Sequence, residues 1–168
     1  MSANGWLSTG AILAGLAVGS GAFAAHFLDG YFPKKYAGQE RVVAGATVPA
    51  STKYLADFKT AAEYQMYHAL ALLVVGLLAS SRPSGLLTGA GWSFLLGILL
   101  FSGSLYVLTL TGERRLGMIT PIGGLFFLLG WLLLAIACCP CCARQTVSSP
   151  QQLTGPPGSV ADQPPRNV

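Results

Sequence analysis

Few side chains in this sequence can do chemistry, and most of them gather near one end of four apolar segments. The 168 residues include only two histidines, His26 and His68. His26 closes the first apolar segment, and Glu63, Tyr64, Gln65 and His68 lie near the start of the second. Ser102, Ser104 and Tyr106 come near the end of the third, and Thr120 opens the fourth. Imidazole and carboxylate groups can hold protons, ions or metals, while hydroxyl and amide groups orient ligands or bind one another. Ionisable residues at membrane depth are costly and are functional candidates by default. These nine residues form the candidate intramembrane polar site.

A plainer reading stands beside it. Glu63 follows Lys59 by four residues and can form an ordinary helix pair at headgroup level. His26, at a helix end, can reach water with its polar tip. His68 is deeper, where a bond to Tyr64 or to a serine of the third segment would satisfy it. Interhelical polar bonds are a normal device for holding bundles together.

No nucleophile–base–acid set, phosphate loop or pair of catalytic carboxylates can be identified, so an enzyme is not expected. Two histidines at one bilayer end permit a haem or metal site. No third ligand spacing supports one, and neither a metal nor another cofactor is expected.

The elements that position these groups follow from composition. Hydrophobic residues make up 52% and charged residues 10%, against about 25% charged in soluble domains. Lipid, which asks for an apolar exterior, resolves that imbalance. A crossing needs ~20 apolar residues for a core ~30 Å thick. Four stretches qualify, at about 6–27, 53–80, 86–110 and 117–137. Ala22-Phe23-Ala24 has the small-x-small look of a leader cleavage site, but Met1 to Gly5 carry no Lys or Arg and the apolar stretch is long for a leader. A polar loop is expected over 29–50, with Ser51 or Thr52 capping the next helix. Trp6 reads as an interface anchor. Arg82-Pro83-Ser84-Gly85 and Thr111-Gly112-Glu113-Arg114-Arg115 are short connections, and short connections make antiparallel neighbours. The expected fold is all-α, a four-helix transmembrane bundle with up-down connections over 1–142.

Small residues suggest which faces pack. Gly15, Gly19, Ala22 and His26 share one face of the first helix. Ala61, Tyr64, His68 and Ala71 share one of the second; Gly89, Ser93, Gly97 and Ser104 one of the third. Gly117, Gly124 and Trp131 repeat by seven on the fourth. Gly15, Gly19, Gly97, Gly103, Gly117 and Gly124 are the expected packing glycines. Lys34, Lys35, Arg41, Lys53 and Lys59 fall on the long-loop side with Arg114 and Arg115, which the positive-inside rule places in the cytoplasm or matrix. No long basic run marks a nucleic-acid surface.

All four cysteines lie in Cys138-Cys139-Pro140-Cys141-Cys142, directly after the fourth segment. Membrane-proximal cysteines are lipidation candidates in the cytosol, and in an oxidising compartment they could form local disulfides. From 143 to 168 the chain is rich in Gln, Ser, Gly and Pro, and reads as a disordered tail.

Four separated motifs also carry a resemblance. Gly21-Ala22-Phe23-Ala24-Ala25-His26 is the first, and the run from Thr60 to Leu72, with Glu63-Tyr64-Gln65 and Tyr67-His68 inside it, is the second. Phe101-Ser102-Gly103-Ser104-Leu105-Tyr106 and the run from Leu116 to Gly124 complete the set, followed by Gly130-Trp131. In this order they resemble the family called domain of unknown function 423. Its bacterial members are small inner-membrane proteins and its animal members are called transmembrane protein 256. Ala24, where Gly is expected, departs from the pattern. So do the longer first loop, the cysteine cluster and the Pro-rich tail. The resemblance implies a bundle in a bacterial-type inner membrane or an organelle membrane such as the mitochondrial inner membrane. It implies no reaction. The leading expectation is a non-enzymatic accessory or assembly subunit, in contact with lipid and with other membrane subunits or itself. The alternative is a small transporter, or a protein binding an ion, a proton or a ligand, that uses the polar end.

Overall fold

A computed structural model describes residues 1–139. The tail read as disordered, and Cys141 and Cys142, lie outside the described residues. Four helices are long and apolar enough to cross a membrane: α1 (Ala3–Lys35), α2 (Ala50–Ser81), α3 (Gly85–Thr111) and α4 (Arg114–Cys138). They run up and down. Gly10 meets Ala69 and Leu73 while Leu7 meets Gly76, so α1 and α2 are antiparallel. Gly97 meets Phe127 while Gly130 meets Phe94, so α3 and α4 are too. The helix starts and stops are local chemistry. Ser2 Oγ accepts from Gly5 N at 3.2 Å, and Ser84 Oγ accepts from Leu87 N at 3.2 Å. Gly112, at φ 82°, ends α3 in a conformation that suits glycine.

The region between α1 and α2 differs from the expected loop. α1 does not stop at Phe27. It passes through a π-turn at Ala24–Leu28 and continues to Lys35. Apolar packing at the hairpin end carries it onward: Leu28, Phe32 and Tyr36 are buried beside Tyr54 and Phe58 of α2. Tyr36 and Tyr54 meet edge to face at 4.6 Å. The rest of the region is an antiparallel hairpin, β1 (Glu40–Val43) and β2 (Ala46–Pro49). Ala44 and Gly45, at φ 48° and 84°, make its two-residue turn. α2 begins at Ala50 after Pro49, and neither Ser51 nor Thr52 caps it.

Three further expectations are corrected. Trp6 is no interface anchor: it is 1% exposed, packed against Gly91 and edge to face with Trp92. On α1, Gly15 and Gly19 face open space, and Ala22 and His26 are exposed. The buried line is instead Trp6, Gly10, Ala17, Ala24 and Leu28. On α4, Gly124 also faces open space and Trp131 is exposed. The packed face is turned by one residue, to Gly123, Phe127, Gly130 and Leu134. Both helices are apolar all round, so hydrophobic pattern does not select a face; the shape of the neighbouring helix does.

Two apolar cores result. One, toward the Ser81–Gly85 end, holds Trp6, Leu72, Val75, Phe94, Phe127 and Leu134. The other, at the hairpin end, holds Leu28, Phe32, Tyr36, Tyr54 and Phe58. The polar side chains are distributed near the junction of the two.

Candidate polar site

His68 sits on the buried face of α2, 13 residues before Ser81, which is ~20 Å from that end of the helix. It is 5% exposed. Nδ1 lies 2.7 Å from the Tyr64 carbonyl oxygen, one turn back. That contact requires the proton on Nδ1, since a carbonyl can only accept. Nε2 is then an acceptor, and it receives the indole N–H of Trp131 at 3.2 Å. The ring lies flat on Phe127, with centroids 3.4 Å apart and planes 6° from parallel. This geometry defines a neutral imidazole with both nitrogens occupied, neither of them left to ligate.

Gln65 joins three helices. Its side-chain N–H donates to the Leu13 carbonyl of α1 at 2.9 Å, and its oxygen accepts from the Tyr106 hydroxyl of α3 at 3.0 Å. Ser104 and Thr120 share a hydrogen bond of 2.8 Å, which ties α3 to the start of α4. Ser104 also donates to the Phe101 carbonyl at 3.0 Å within its own turn, so the shared proton comes from Thr120. At the hairpin end Tyr36 O–H donates to the Thr109 carbonyl at 2.7 Å, and the Lys35 ammonium donates to the Leu110 carbonyl. Burial pushes the Tyr36 phenol above its usual 10.0, with the neighbouring Tyr54 adding to the shift; Tyr36 therefore stays a donor at neutral pH.

The expected cluster is thus partly assembled. Tyr64 meets His68, Gln65 meets Tyr106, and Ser104 meets Thr120. Ser102 is fully buried in a second π-turn, Ile98–Ser102, and its Oγ has no hydrogen-bond partner among the described residues. His26 is exposed on α1 and joins none of them. Glu63 is exposed as well and lines a groove of about 300 Å³ between α1 and α2, with Lys59, Met66 and Tyr67. Lys59 and Glu63 form no ion pair with each other. Sequence reasoning missed Trp131 and Phe127 as partners of His68, and the Leu13 carbonyl as a partner of Gln65. The Gly130-Trp131 pair was visible, but nothing in it pointed to a histidine 63 residues away. Cys138 is exposed at the end of α4. The described residues contain no group of three or more His, Cys, Asp or Glu that could hold a metal.

Comparison with known proteins agrees with the architecture. The profile of a family described as "Protein of unknown function (DUF423)" matches residues 20–124. A UPF0382 membrane protein of Staphylococcus epidermidis is 47% identical over 128 residues, covering 76% of this chain and 89% of that protein. The UPF0382 membrane protein YwdK of Bacillus subtilis is 44% identical over 129 residues, covering 76% and 90%. No solved structure matches the chain. With four spanning helices, and with the matched segment running from the middle of the first into the fourth, this chain is a multi-pass membrane protein and belongs to the DUF423 family.

Proposed function

We propose that the protein is a non-enzymatic membrane subunit that works by lateral contact with another membrane component. The observation that supports this reading is that the buried polar side chains, Ser102 apart, are used up inside the bundle. One nitrogen of His68, both ends of the Gln65 amide and the Ser104–Thr120 pair are committed to bonds between helices, and the other His68 nitrogen bonds the Tyr64 carbonyl of its own helix. A site that binds or relays an ion needs free donors or lone pairs. Interhelical bonds of this kind are the usual way polar residues serve a membrane bundle. α1 adds a second support. It buries only 17% of its apolar stretch, against 44% for α3, and leaves Gly15 and Gly19 uncovered. Cross-linking from a photoreactive residue placed at Gly19, in native membranes, tests the reading. A single defined adduct, absent when the label sits at Leu99 of α3, supports it; no adduct with any protein sinks it.

A second reading, a small transporter or ligand-binding protein, is favoured by one observation: Lys59 and Glu63 face the groove between α1 and α2 without partners among the described residues. Flux through proteoliposomes that is equal for wild type, Glu63→Gln and empty vesicles would dismiss it.

A further inference from the structure

Two adjoining cavities lie at the hairpin end, on the side of the bundle where α2, α3 and α4 meet. One, of about 220 Å³, is lined by Arg41 of β1, Lys53 and Asp57 of α2, and Arg114 at the start of α4. The other, of about 370 Å³, starts at the same Lys53 and Asp57 and descends past Leu108, Leu105 and Pro121 to Phe101. A charged head therefore opens directly onto an apolar trough.

The head is positive. Lys53 and Asp57 pair with each other across one helical turn and cancel. Arg41 and Arg114 remain. The phenolic oxygen of Tyr54 receives Nε and Nη2 of Arg41 at 3.1 and 2.7 Å, and the Glu40 carbonyl receives Nη1 at 2.9 Å. A guanidinium has five N–H groups, so these three bonds fix its plane and leave two donors over. Arg114 has no hydrogen-bond or ion-pair partner among the described residues. Planar guanidinium forks suit phosphate oxygens. The trough has a length to match. Phe101 lies ten residues before Thr111, the end of α3, a drop of ~15 Å along the helix. That equals about half of a ~30 Å hydrocarbon core, the depth of one leaflet. This end also carries seven of the ten Lys and Arg residues, the count by which the positive-inside rule marks the leaflet where anionic lipid is met.

We propose that this composite cavity binds one anionic phospholipid, with its phosphate between Arg41 and Arg114 and an acyl chain along Leu108, Leu105 and Phe101. A free phosphate would use the head alone and gain nothing from the trough. The test is native mass spectrometry of the full chain released from nanodiscs of equal phosphatidylglycerol and phosphatidylcholine. One phosphatidylglycerol should be retained in preference. Arg114→Glu, at an exposed and unpartnered position, should lower that preference by about fivefold or more for each positive charge removed. Arg82→Glu, at the opposite end, should not change it. Gly117→Leu, which narrows the trough but keeps every charge, should also weaken retention. Circular dichroism of each variant checks that the helices persist. Equal retention of the two lipids, unchanged preference in Arg114→Glu, unchanged retention in Gly117→Leu, or displacement by millimolar inorganic phosphate would each overturn the proposal.

Discussion

Gly123 and Gly124 are neighbours in sequence and opposites in environment, and one methyl group at each should separate them sharply. A Cβ on Gly123 would lie 2.4 Å from the Phe101 backbone nitrogen and 2.8 Å from its Cα. Ordinary van der Waals contact begins near 3.4 Å, so α3 and α4 would have to part by about 1 Å at this crossing. Backbone atoms cannot swing aside as a side-chain end can. Overpacking of this type costs ~1–3 kcal/mol, and a rigid neighbour puts it at the upper end. Parting the helices by that much also breaks the Ser104–Thr120 bond, now 2.8 Å, which adds ~0.6 kcal/mol or more. Gly123→Ala should therefore destabilise the bundle by about 2–4 kcal/mol. Gly124 has nothing within 4 Å of its would-be Cβ. Gly124→Ala should be neutral or stabilising by ~0.5–1 kcal/mol, because alanine favours the helix. Reversible unfolding in mixed micelles, titrated with a denaturing detergent and followed by circular dichroism, measures both. Equal costs for the two variants, or a larger cost at Gly124, would refute this packing of α3 on α4.

Removing the amide in Gln65→Leu should cost about 1–2 kcal/mol by the same assay, since it frees the Leu13 carbonyl and the Tyr106 hydroxyl together. A cycle with Tyr106→Phe should give a coupling of ~0.6 kcal/mol, and zero coupling would deny the bond. Ser102→Ala should cost nothing or stabilise by up to ~1 kcal/mol, because the hydroxyl it removes is buried and unpaired; a clear loss would mean that Ser102 has a bonding partner. Burial raises the Tyr36 phenol above 10.0, so the folded protein keeps a proton there that the unfolded chain releases. Its contribution is complete below pH 10 and falls as pH rises through the folded value. Tyr36→Phe should flatten the loss of stability above pH 10, and superimposable pH curves would contradict that. His26→Ala should change stability by less than ~0.5 kcal/mol, and a larger effect would mean that His26 has a partner.

What the sequence determined by itself is the solvent, the number of crossings and their alternation. These follow from apolar length against bilayer thickness and from short polar connections, both of which are local properties of the chain. Antiparallel threading let residue counting suggest a shared end for the polar groups, but His68 stacks on Phe127, which belongs to the core toward the Ser81–Gly85 end. Rotation about each helix axis was not legible. In a soluble helix the apolar stripe marks the inner face, but α1 and α4 are apolar on every side, and glycine spacing was a poor substitute. On α4 the Gly117–Gly124 and Gly123–Gly130 pairs have the same period, and only the Phe94 ring and the Phe101 backbone select the second. The tertiary structure also decided which polar groups pair. Residues 64 and 68 are neighbours by helix geometry alone, yet Trp131 reaches His68 only because α4 packs where it does. The hairpin end was hidden for a similar reason. A region rich in Gly, Lys and Pro reads as loop until Phe32, Tyr36, Tyr54 and Phe58 find one another across two helices and bury enough aromatic surface to order it.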